Sequence, residues 1–181
     1  MEDTKEQIVK TDESGEWLKK IQEGADLIFC KIYLIENIIV DYGKSLHEAE
    51  IVAGYHLGDI DQRIQGIIKA TADQYPPLEE KTEKEILVLI GGLYSHLSFE
   101  RALKWAILNN LEKTVPHEIF TLSNKSFSDD TLILETTSSF LPHGYHGSWG
   151  IWFHDNRGES VYYGIGDYSY RNVLYAFRKK F

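Results

Sequence analysis

A change of hydrophobic period at Pro116 limits what this chain can fold into more than any other feature of its sequence. Before it, apolar residues recur at helical intervals; after it, they gather into short β-branched and aromatic runs. From Glu16 onward, Trp17, Ile21, Ile28, Ile32, Ile35 and Ile39 form the stripe of a helix that faces a core, and Gly43 supplies its stop. In the stretch SLHE, Ser45 and Glu48 make a capping box. Leu46, Ala49, Ala53, Leu57, Ile60, Ile64, Ile67 and Tyr75 then continue at helical spacing. With so short a joint, the two segments predict an antiparallel helical hairpin. YPPLEEK ends the second helix, because proline has no amide to donate and disfavours helix in the residue before it. TEKE repeats the capping pattern with Thr82 and Glu85, predicting a helix through Ile86, Leu89, Ile90 and Leu93. A break at YSHLS and a resumption through Phe99, Leu103 and Ala106 follow.

Beyond Pro116, the segments EIFTL, TLILETTS, SWGIWFH, SVYYGIG and NVLYAFRK read as strands, separated by turn-like NKSFSDD, DNRGE and GDYSY. DNRG suits a hairpin connection. Fourteen of the 23 aromatic residues fall in the last 66 positions, enough for a sheet that packs on both faces. Trp149 and Trp152 point to opposite faces of their strand, so at least one must enter the core. The expected fold is α+β: an N-terminal helical hairpin plus one or two further helices, packed with a C-terminal antiparallel sheet of four to five strands. The expected division is an acidic helical subdomain, 1–115, and an aromatic-rich β subdomain, 116–181, in one compact unit.

The net charge of −9 is concentrated in the first part: residues 1–115 carry 21 acidic against 13 basic side chains, and residues 116–181 carry 7 against 6. Such a field disfavours nucleic acid and anionic membranes as partners and steers a basic protein toward the chain. FRKKF at residues 177–181 is too small a basic patch to reverse that. The single cysteine, Cys30, lies among apolar neighbours in LIFCKIYLI, where a thiol acts as a small buried hydrophobe. The polar, acidic N-terminus lacks the pattern of a signal peptide, and no apolar run is long enough for a membrane span, so a cytoplasmic location is expected.

One stretch carries concentrated chemistry. PHGYHGSWGIWFHD places His143, His146, His154 and Asp155 within fourteen positions. His143 and His146 have the spacing at which two imidazoles on a turn share a cation, but His154 and Asp155 lie a full strand away. The segment matches no helical H-E-x-x-H or paired-cysteine framework, and GYHGSWG lacks the nucleophile elbow G-x-S-x-G. It reads foremost as a turn feeding a strand, with no metal and no cofactor required. The functional expectation is a non-catalytic protein-binding module, an inhibitor or toxin-immunity protein acting on a basic partner. Asp59 and Asp61 on the acidic helical face would serve as contacts, and pairing with a second copy of the chain is left open. The alternative is a small hydrolase, metal-dependent or not, working from the His143–Asp155 cluster.

Overall fold

The computed structural model describes residues 14–57, 72–79, 81–93, 97–122, 127–128, 130–137, 139–140, 146–154, 157–164 and 172–180. In chain order the elements are α1 (Ser14–Leu27), β1 (Cys30–Asp41), α2 (Leu46–Ala53), β2 (His56–Leu57), β3 (Thr82–Gly92), α3 (Phe99–Leu108), β4 (Glu112–Lys113), α4 (Pro116–Phe120), β5 (Thr131–Leu134), β6 (Ser139–Phe140), β7 (His146–His154), β8 (Arg157–Gly164) and β9 (Asn172–Lys180). The fold is α+β. Its sheet runs β1-β3-β9-β5-β7-β8-β2, with β4 added beside β9 and β6 beside β7. It is mixed: β5 pairs with β9 and β2 with β8 in parallel, the other pairs being antiparallel.

Two expectations are overturned here, that of a helical hairpin and that of a four- to five-stranded antiparallel sheet. Helix α1 does use the stripe of Trp17, Ile21 and Ala25, but it stops at Leu27, and residues 30–41 form a strand. The isoleucines of that strand divide between the faces: Ile32 and Ile35 join one core, Ile38 the other. β-Branched side chains favour that extended state, and their three- and four-residue spacing only imitates a helix. The Thr82–Glu85 pair likewise caps nothing, for residues 82–92 form β3. Leu87, Val88, Leu89 and Ile90 are all fully buried, odd and even positions on opposite faces. Burial from both sides erases the alternation that marks a strand and leaves a continuous apolar run.

The Ser45 box forms as expected: the Glu48 amide donates to Ser45 Oγ at 3.3 Å, and the Ser45 amide donates to Glu48 Oε2 at 2.8 Å. The helix it opens is short, since Gly54 takes a left-handed conformation (φ 79°) and its amide closes on the Ile51 carbonyl. Helix α3 begins at Phe99 behind the Ser98 cap, and Pro116 starts the short helix α4 where the sequence suggested a strand at EIFTL. The later strand segments TLIL, SWGIWFH, SVYYG and NVLYAFRK are all present, and His154 pairs with Arg157 across the expected hairpin.

Helices cover both faces. Helices α2 and α4 close the face lined by Val40, Leu89, Ile133, Trp149 and Ala176. Helices α1 and α3 close the other, where Trp105 stacks edge-on against Phe177 and its indole donates to the Ile21 carbonyl at 3.3 Å. Strands from both sides of residue 115 share the sheet, so the acidic first segment is not purely helical. Cys30 is buried as expected, and desolvation raises its thiol pKa. No helix among the described residues is long and apolar enough to cross a membrane.

Trp149 is the tryptophan that enters the core, 2% exposed and edge-on to Phe120, while Trp152 packs partly against the opposite core. Trp149→Ala is expected to cost about 3–5 kcal/mol in chemical denaturation, and Ser45→Ala about 1 kcal/mol through loss of the cap.

Candidate interaction surface

At the corner where α1 turns into β1, apolar side chains are held outward. Leu27 is 82% exposed, Phe29 69%, Tyr33 45% and Leu93 44%. The backbone that presents them is tied down. The amides of Ile28 and Phe29 donate to the carbonyls of Ala25 and Asp26, each at 3.1 Å, and the Leu93 amide donates to the Phe29 carbonyl, joining the exit of β3 to the same turn. Arg101 at the start of α3 donates through Nη2 to the Ile28 carbonyl at 2.8 Å. Tyr33 falls at the register shift of β1 against β3; its hydroxyl donates to the Gly92 carbonyl at 3.3 Å, and Lys31 lies over its ring. Gly91 admits this arrangement, because a Cβ there would lie 3.0 Å from Tyr33 and 2.5 Å from Leu174.

Phe29 has φ 55°, a left-handed conformation in which the Cβ of an L residue crowds its own backbone. Glycine would occupy it at no steric cost. The ring gains little burial in return, so the stability of this chain alone gives no reason for phenylalanine here. Charge placement shows the same pattern. The last turns of α1 carry Glu23 and Asp26, both exposed, and no basic residue, although the helix dipole favours cations at that end. Glu23 is loosely paired with Lys19, and Asp26 accepts from Gln22. The corner therefore combines an apolar cluster with the acidic end of α1, beside Arg101 and Lys31. It lies at the sheet's edge, since β1 pairs only with β3 among the described residues.

A second constellation lies at the other end of β1. Tyr42, Glu85, Glu118 and Arg178 meet in the interior, with Glu85 and Glu118 both fully buried. Arg178 Nη1 donates to Glu118 Oε1 and, at 2.9 Å, to Tyr42 Oη; its Nε lies 3.3 Å from Glu112 Oε2 without hydrogen-bond alignment. Glu118 Oε2 accepts the Val115 amide. Desolvation pushes Glu118 up to about 7, opposed by the Arg178 charge, and raises Glu85 for the same reason. Burial also lifts Glu135 well above the carboxylate range and depresses His117, whose Nε2 lies 3.0 Å from the Lys44 carbonyl.

The residues singled out from sequence are not gathered here. His143, Asp155, Asp59 and Asp61 lie outside the described residues. His146 and His154 open and close β7, so their backbones stand roughly 26 Å apart at about 3.3 Å per residue. The FRKKF basics are dispersed: Arg178 turns inward, Lys179 lies over the Trp17 ring and Lys180 reaches Glu83. Sequence reasoning missed the corner because exposure of an apolar side chain and a positive φ at phenylalanine leave no periodic trace. Glu85 and Arg178 left a weak signal, a charge beside each of the runs ILVLI and VLYAF. No known family matches the sequence, and no curated protein and no solved structure matches it either.

Phe29→Gly is expected to leave the unfolding free energy unchanged or to raise it by up to about 1 kcal/mol, since relieved backbone strain offsets the added chain entropy. A clear drop in the denaturation midpoint would instead make the ring part of the core.

Proposed function

We propose that the chain is a non-catalytic binding module that engages a basic protein through the α1–β1 corner, in the manner of an inhibitor or a toxin-immunity protein. The observation that carries this reading is Phe29, exposed and left-handed, set among Leu27, Tyr33 and Leu93 beside an acidic helix end. Strained residues persist where the surrounding structure over-determines them, and exposed apolar clusters of this kind mark contact sites. An aromatic anchor already fixed by its backbone loses little entropy when a partner covers it. The acidic end of α1, part of a net charge of −9, favours a partner with lysines or arginines around an apolar pocket.

The test compares three forms of the chain immobilised and exposed to lysate of the native cell: the unaltered chain, Phe29→Gly, and Glu23→Lys with Asp26→Lys. The unaltered chain is expected to retain a basic protein. Phe29→Gly should weaken that retention at least tenfold while remaining folded. The charge reversal should chiefly slow association and remove its salt dependence, because exposed charges are screened beyond about 8 Å at physiological ionic strength. Retention indifferent to all these substitutions and to salt would remove the corner from the binding surface.

A further inference from the structure

The Tyr42 hydroxyl touches three ionisable side chains and has one hydrogen to give. Its Oη lies 2.9 Å from Glu85 Oε1, 2.5 Å from Glu118 Oε1 and 2.9 Å from Arg178 Nη1. A phenol offers one O–H donor and two acceptor lone pairs, and a guanidinium only donates. Arg178 therefore fills one lone pair, and the hydroxyl hydrogen goes to one of the two carboxyl groups. The other carboxyl is then left within hydrogen-bonding distance of an oxygen whose hydrogen is committed elsewhere. Two bare oxygens at that separation, shielded from water, repel strongly unless one carries a proton.

The neighbours of each group decide where that proton sits. Glu118 meets the donors of an anion: the Arg178 guanidinium and the nearer Tyr42 hydroxyl at Oε1, and the Val115 amide at Oε2. Glu85 has poorer company. Its Oε1 is 3.6 Å from Arg178 Nη1, and its Oε2 is buried without a hydrogen-bond partner. We infer that Glu85 is a neutral carboxylic acid in the folded chain, donating its proton to Tyr42, which donates in turn to an ionised Glu118. This order uses the Tyr42 donor and both of its lone pairs. It also leaves one buried anion, Glu118, against one cation, Arg178.

Other charges act on both groups. Glu83, on the same strand as Glu85, faces it with Lys180 of β9, and Glu83 is itself held below the carboxylate range by Lys81 and Lys180. Glu112 of β4 sits half-exposed on the outer side of Arg178. Glu135, after β5, adds a further negative neighbour to Glu118, with Lys113 of β4 beside it. The His117 ring of α4 lies tilted against the Tyr42 ring, their centroids 5.9 Å apart, near Asp41 and Lys44. Burial raises both Glu85 and Glu118, which share the single Tyr42 hydrogen, so the pair keeps one proton on folding that the unfolded chain gives up at neutral pH. Unfolding there releases it. The stabilisation that goes with that retained proton is complete below the ordinary carboxyl range and is lost as pH rises through the raised folded value of the group that holds it.

Glu85→Gln provides the test, because an amide can still donate to Tyr42 but has no proton to lose. In weakly buffered denaturant at neutral pH, Glu85→Gln should release one proton fewer than the unaltered chain, fold as stably, and show a flatter decline of stability with rising pH. Glu118→Gln, which withdraws the anion from Arg178, should be clearly destabilised. A Glu85→Gln chain that fails to fold, or that releases as many protons as the unaltered chain, would overturn the assignment. Infrared spectra give a second check. At neutral pH the folded protein should show the C=O stretch of a protonated carboxyl, more intense than in Glu135→Gln by no more than the Glu135 share, and a band that vanishes altogether in Glu135→Gln would reject a neutral Glu85.

Discussion

Burial of the central strands from both sides is the constraint on which the rest of the structure depends. Strands β3, β9 and β5 have helices or loops over both faces, so successive side chains along them, from Leu87 to Ile90 and from Val173 to Phe177, have no outlet to water. Every backbone amide and carbonyl there must find its partner within the sheet. The polar groups that remain are matched locally. Thr114 and Thr136 exchange amide-to-hydroxyl bonds, and both hydroxyls donate to the Ala176 carbonyl at 2.8 Å. Toward the ends of these strands charges enter the interior, at Glu85 near the start of β3 and Arg178 near the end of β9, two register steps apart across the ladder.

That constraint also explains which elements could be read from the sequence. Surface helix starts were legible, because a cap is a local contest between side chain and backbone: Ser45 settles it within three residues. The β7–β8 hairpin was legible for the same reason, since turn residues sit between runs whose aromatic side chains suit strands. Strands β1 and β3 were not. In ILVLI no polar residue marks a face, and the isoleucines of β1 serve two cores at intervals that a helix would share. Only the partner strand, dozens of residues away, decides between the two readings. The candidate surface was hidden more deeply. Phe29 reads in sequence as one more apolar residue in LIFCKIYLI, and its exposure follows from where α1 happens to stop.

The corner and the interior cluster use acidic residues in opposite ways. Glu23 and Asp26 lie exposed on the surface of α1, where salt screens their field. Glu85, Glu118 and Glu135 have surrendered hydration, and their behaviour is set by which hydrogen bonds each receives. The formal charge of −9 therefore overstates what the folded chain presents: a buried carboxyl that holds its proton contributes nothing to the outer field.

The place of β9 in the sheet bears on how the fold is reached. It lies between β3 and β5 and carries Arg178, yet it is made after every other described strand. During synthesis, β1 and β3 can zip together while β5, β7 and β8 assemble their own ladder, but the two groups share no edge until β9 emerges. Until then β3 and the four-residue β5 each present an apolar edge without its β9 partner, and Glu85 and Glu118 wait without their guanidinium. The nascent chain is thus two half-sheets open to wrong pairing, and its last strand is the wedge that locks them.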